Sequence, residues 1–208
     1  MIATAAYAQV RRMLLDGDIG REQPLAEIPL AARVGVSRPT MRETLRRLEG
    51  EGLLRSDGRR LRVVDLEGPE LESALRMRAA LEGMHAELVA ERHAEGQIAP
   101  AQLRELEEKA ARTDAATRAG DLAAAMRLNR DFHQALNRLA ASPVSYDALA
   151  SLWDRLLLST GRSLAQTGRE DAVHVEHLAV LSAVRSGDAA RAGALAKGHV
   201  LRTLAALS

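Results

Sequence analysis

Two side chains in RLNRDFHQAL, residues 127–136, have the types and the spacing to share a metal ion: Asn129 and His133. They sit one helical turn apart on one face. Around them Leu128, Phe132, Ala135 and Leu136 keep the apolar period of an amphipathic helix. A half-exposed helix surface explains the pair as well as a metal site does, so the other histidines matter. There are six, His85, His93, His133, His174, His177 and His199. Neutral imidazole is a common metal ligand, and helical bundles build such sites from side chains that project inward from facing helices. His177 stands beside the stripe Leu178, Leu181, Val184, and His199 opens an apolar run in KGHVLRTLAAL. One pair and two single histidines on three helices make one site if those helices converge, which spacing alone does not decide. Taken singly, each is as well read as a surface or ordinary hydrogen-bonded residue.

Three histidines with an open position also suit a metal-dependent hydrolase. Water activation needs a nearby general base, and no HExxH-like pairing is present. The acids nearest the histidines in sequence, Asp131 and Glu176, are not on the expected ligand face. The expectation is that the chain is not an enzyme. A metal sensor, in which the ion itself is the signal, is a further alternative on the same residues. So is a structural ion that only stiffens the bundle.

The elements that must carry these residues are helices. Periodicity and breaks at EGQIAP, AGD, ASPVS, QTGRED and SGD place them at about 70–95, 99–118, 121–141, 144–166, 171–186 and 188–206. Asp121 and Asp188 are placed to cap two of them. Six such helices predict an antiparallel bundle over 70–207. His174 is a surface or supporting residue, His85 and His93 have no assigned role, Arg78 forms a structural ion pair, and Trp153 is a core or interface anchor. DLEGPEL, residues 65–71, reads as a linker.

Composition agrees. Of 208 residues 47% are hydrophobic but only 2% aromatic, so the core is built from Leu, Ala, Val and Met, which favours close-packed helices. The absence of cysteine excludes disulfides and thiolate metal sites. With no leader and no apolar run of membrane-spanning length, the expectation is a soluble cytoplasmic protein without a membrane partner. Net charge is +1, but residues 33–62 carry nine arginines against four acids. That local excess is the footprint of a polyanion.

The same segment has a recognisable order. Residues 4–15 have helical period, and PLAARV, 29–34, is a short helix with proline in its first turn. Gly35 ends it, Ser37 caps the next, and Gly52 stops that one near Glu51. Two helices joined through GVS make a helix-turn-helix. LLRSDGRRLRVV, 53–64, then reads as two short strands about a type I′ turn at Asp57-Gly58, with Arg59 and Arg60 at or just past the tip. The result is a winged helix over residues 1–66. Arg38, Arg42 and Arg46 recur every fourth residue on one face of its second paired helix, opposite Met41, Leu45 and Leu48. Such a face fits the major groove of double-stranded DNA.

LAARVGVSRPTMRETLRRLEGEGLL, 30–54, resembles the GntR-type winged-helix regulators. The resemblance implies Ser37, Arg38, Thr40 and Arg42 as DNA contacts and Gly58 as the wing glycine. RAALEG (78–83), NRDFHQAL (129–136), EHLAVLSAVRSGD (176–188) and GHV (198–200) resemble the FCD effector domain of the FadR-like GntR branch. That resemblance implies a metal ligand set of Asn129, His133, His177 and His199, with Asn129 where the family motif carries Asp. It also implies a small carboxylate effector on the open metal positions. Three imidazoles and one oxygen suit a divalent ion such as Zn or Ni. The expected function is a ligand-responsive transcriptional repressor, a homodimer on a two-fold operator. The residues that contact the effector are not legible.

Overall fold

The computed structural model describes residues 2–20, 24–58, 60–160 and 170–207. Among them the chain is mainly helical and forms two compact units, Met1–Gly68 with Ser151–Thr160, and Pro69–Ala150 with Gly161–Ser208.

The first unit contains α1 (Ile2–Leu15), α2 (Glu27–Val34), α3 (Arg38–Gly50) and the hairpin β1 (Leu54–Asp57) and β2 (Arg60–Val63). Local chemistry sets its helix ends. Gly35 takes the left-handed conformation at φ +75° after α2, and the Gly35 and Val36 N–H groups both donate to Ala31 O. Two residues later Ser37 caps α3, its hydroxyl accepting from the Thr40 N–H. Pro29 falls in the first turn of α2, but that helix starts at Glu27, two residues before the expected start. Val10, Met41, Leu45, Leu48, Leu53 and Leu54 make the core of the unit, joined by Leu158.

The hairpin corrects one expectation. Asp57 pairs with Arg60 in the strand register, so Asp57 belongs to the strand and Asp57-Gly58 is not the two-residue loop. The first loop position must adopt positive φ, and Gly58 does so at +62° without a side-chain penalty. Asp57 stays in the strand and lies 3.4 Å from the Arg62 guanidinium. A third segment extends the wing: Leu25 N–H donates to Leu61 O at 2.8 Å.

The second unit contains α4 (Gly68–Ala94), α5 (Pro100–Arg118), α6 (Leu122–Leu139), α8 (Glu170–Arg185) and α9 (Ala189–Leu207). α7 (Pro143–Thr160) is divided between the units, its last ten residues counting with the first. Asp121 and Asp188 act as expected at helix starts, accepting from the Ala124 and Arg191 N–H groups at 2.9 and 3.0 Å. Ala86, Val89 and Ala90 of α4, Leu103 and Leu106 of α5, Phe132 and Leu136 of α6, Val180 and Val184 of α8, and Ala192 and Ala196 of α9 share one core. The many alanines let these helices approach closely, as the scarcity of aromatics requires.

Candidate functional site

α6, α8 and α9 each bring one histidine to the same place. His133, His177 and His199 are buried, and each offers a ring nitrogen within 4.8 Å of the others. Ring centroids lie 5.1 Å apart for His133–His177, 5.1 Å for His133–His199 and 5.0 Å for His177–His199. Phe132, the neighbour of His133 on α6, stacks on His177 at 4.0 Å between centroids and so walls one side. Asn129 lies one turn before His133 on α6, and its Oδ1 is a buried acceptor without a hydrogen-bond donor.

Two of the three rings are held by carboxylates. His133 Nδ1 lies 3.0 Å from Glu82 Oε2, and the other Glu82 oxygen accepts from Arg78 Nε at 2.8 Å. His199 Nδ1 donates to Glu176 Oε2 at 2.6 Å, and Glu176 Oε1 accepts from Arg202 Nε at 2.5 Å. These are two arginine–glutamate–histidine relays, one from α4 to α6 and one between α8 and α9. Each directs Nε2 away from its carboxylate, the arrangement that orients a metal-binding imidazole and raises its basicity. Burial pushes the Glu82 carboxyl up, but the Arg78 charge and then His133 outweigh it and hold it well below the usual carboxylate range. Glu82 is therefore an anion at neutral pH.

His177 and His199 are kept neutral, as ligands must be. Burial lowers His177 well below its ordinary value, with His133 and His199 adding to the effect. Burial also lowers His199, to about 4, against the opposing pull of Glu176. Neither nitrogen of His177 has a hydrogen-bond partner. Two unsatisfied imidazole nitrogens and a bare amide oxygen in the interior would each cost roughly 1–3 kcal/mol. A cation bound by one His177 nitrogen and the Asn129 oxygen would remove that cost for both atoms. Three imidazole donors suit an ion that accepts nitrogen better than Mg or Ca, which need mostly oxygen.

Glu82 and the second role of Glu176 were not foreseen. The Arg78–Glu82 pair is legible as an i, i+4 ion pair, but its reach to His133, 51 positions on, is not. Glu176 is adjacent to His177, yet it serves His199. His174 is half-buried with a buried Nδ1, and His85 is fully buried with Nε2 2.7 Å from Ser145 Oγ. Neither belongs to the three-histidine cluster.

In the first unit, Arg38, Arg42 and Arg46 are exposed on α3, opposite the buried Met41, Leu45 and Leu48. Ser37 is exposed and Thr40 half-buried, and their hydroxyl oxygens lie 2.8 Å apart, so both begin committed to the helix cap. Gly58 is exposed at the hairpin tip, and Arg59 lies outside the described residues.

Residues 2–63 match the family model for bacterial regulatory proteins of the gntR family, and residues 73–202 match the FCD domain. A curated relative is the uncharacterised HTH-type transcriptional regulator YdhC of Bacillus subtilis (strain 168), 30% identical over 132 residues. That match covers 62% of this chain and 57% of the relative, so the likeness spans little more than half of the relative's length. Among solved structures, E. coli McbR/YncC superposes with a TM-score of 0.83 at 21% identity, over 100% of this chain and 97% of that one. A structural-genomics GntR structure from Rhodococcus sp. RHA1 gives 0.77 at 19% identity, over 99% and 96%. At these identities the structural likeness concerns the fold. Among the described residues no helix is long and apolar enough to cross a membrane.

Proposed function

The chain belongs to the GntR family and carries an FCD domain, and from that premise we propose that it is a ligand-responsive transcriptional regulator that binds operator DNA as a homodimer. The observation that carries this reading is the buried His133–His177–His199 cluster in a chain whose other unit presents the exposed arginines of α3. The cluster is built to receive a ligand, and the winged helix is built to receive DNA.

Asn129, His133, His177 and His199 are proposed to hold a divalent ion, Zn or Ni. When bound, the ion would supply open Lewis-acid positions to which a small carboxylate effector can attach. The protein's own contribution is positional. Glu82 and Glu176 fix two rings, Phe132 fixes a third by stacking, and burial keeps His177 and His199 unprotonated.

On DNA, Arg38, Arg42 and Arg46 are proposed to enter the major groove, with Ser37 and Thr40 at the start of the helix and Gly58 and Arg59 at the wing along the backbone. Effector binding is proposed to shift the dimer away from its DNA-competent state, which makes the protein a repressor. That sign follows the behaviour implied by the family resemblance. Turnover is not proposed. The carboxylates beside the cluster, Glu82 and Glu176, are each held by one histidine and one arginine, which disfavours either as a general base.

The test is selection from a random-sequence duplex library with the full chain, followed by addition of a panel of di- and tricarboxylates with and without Zn. An enriched two-fold motif released by one acid in the presence of metal supports the reading. No enriched sequence under any condition would overturn it.

A further inference from the structure

Glu27 is the first residue of α2, and its carboxylate lies among the arginines of α3. Arg42 Nε donates to Glu27 Oε2 at 3.0 Å, and Arg42 Nη2 donates to Oε1 at 3.1 Å. Arg38 Nε stands 3.8 Å from the same Oε1. All three side chains are at least a quarter exposed, so the group lies at the surface of the unit. The hydrogen bonds from Arg42 hold the carboxyl below its ordinary value, with the charges of Arg42, Arg38 and Arg46 adding to them. An anion at the centre of a cationic face costs affinity for any polyanion, so its place there needs a reason beyond charge.

The geometry supplies one. A guanidinium has two edges suited to bidentate pairing. Glu27 occupies the Nε–Nη2 edge of Arg42 and leaves the Nη1–Nη2 edge pointing away. That remaining edge is free to pair bidentately with O6 and N7 of guanine. The ion pair with Glu27 reduces the rotamer freedom that Arg42 would otherwise lose on binding. The same carboxylate repels a phosphate that approaches Arg38 or Arg42 out of register.

We propose that Glu27 is a specificity-determining residue of the DNA-binding face: it positions Arg42 to read a guanine and penalises sequence-independent contact with phosphate. This rests on the DNA-binding reading of α3, and the experiment separates the two. The full chain is first used to select a motif from a random-sequence duplex library. Wild type, Glu27→Gln and Glu27→Asp are then titrated with the selected duplex, with a shuffled duplex, and with duplexes substituted at each guanine, at 50 and 200 mM KCl.

Glu27→Gln should bind the shuffled duplex several-fold more tightly, with a steeper salt dependence, by up to about one unit in the log–log slope. Its discrimination at one guanine should fall by roughly tenfold or more. Glu27→Asp, which keeps the charge, should retain the weak binding to shuffled DNA. In an Arg42→Ala background, Glu27→Gln should leave guanine discrimination unchanged, an outcome that a general loss of folding would not produce. Equal affinity ratios and salt slopes for wild type and Glu27→Gln, with both folded by circular dichroism, would overturn the inference and leave the DNA-binding reading standing. Failure of the wild type to select any sequence would overturn both.

Discussion

His133 Nδ1 lies 3.0 Å from Glu82 Oε2, in a region where both side chains are almost wholly buried. The contact joins α4 to α6 and leaves Nε2 as the ring nitrogen turned away from the carboxylate. Because Arg78 neutralises the second Glu82 oxygen, the carboxylate is stable in the interior without taking His133's proton for itself. The relation between Glu176 and His199 repeats the design on α8 and α9.

If Glu82 orients His133, Glu82→Gln should keep the fold and weaken metal binding. An amide cannot hold the imidazole as a carboxylate does, and loss of such a partner costs about 10- to 100-fold in affinity. Competition against a chromophoric chelator measures it. Unchanged Zn affinity would show that the ring needs no such support.

Asn129→Asp should act in the opposite direction. The change puts a negative charge one turn from His133 in place of a neutral amide oxygen that has no donor. In a site shielded from water the added attraction is on the order of 1–2 kcal/mol, roughly tenfold in affinity. The same chelator competition should show tighter Zn binding. Weaker binding would mean that Asn129 does not face the ion.

The metal-free protein should lose stability as pH falls. His177 and His199 have folded-state values below the ordinary imidazole value, the latter at about 4. Between about 6.5 and 4 the unfolded chain therefore binds more protons than the folded one, so this contribution is complete above about pH 6.5 and is lost on going down through that window. Thermal melts of the apo protein between pH 5 and 8 should show the decline, and His177→Leu should flatten it. A melting temperature independent of pH in that range would contradict the assignment of buried neutral histidines.

Arg38→Ala and Arg42→Ala should each weaken binding to a selected duplex by about 1–3 kcal/mol if they read bases. Binding to shuffled DNA should fall much less. A uniform loss across sequences would make them phosphate contacts instead.

Much of this was legible in the sequence, for local reasons. Gly35, Ser37, Asp121 and Asp188 set helix ends through bonds within a few residues, and each acts where its type predicts. Asn129 and His133 share a face because four residues make one turn. Asp57 was placed in the hairpin loop, because a glycine-based turn rule accepts glycine at either loop position, and strand register puts Asp57 in the strand. The convergence of His133, His177 and His199 lies beyond periodicity, which says that a face is buried but not what buries it. The family motifs supplied that set. Glu82 escaped both routes: its partner is on another helix, and a Glu four residues after an Arg reads as an ordinary surface pair. The last ten residues of α7 show the same limit, since an apolar stripe containing Leu156 and Leu158 does not say which core it joins.

The central claim is that three histidines and Asn129 hold an ion, and elemental mass spectrometry tests it most directly. The tag-free chain, purified without chelator, should carry about one equivalent of Zn or Ni, as a buried set of three nitrogen donors and one oxygen donor would. His133→Ala should lose it, and added metal should raise the melting temperature of the wild type but not of the variant. Wild-type protein that carries no metal and is not stabilised by any divalent ion would contradict the account.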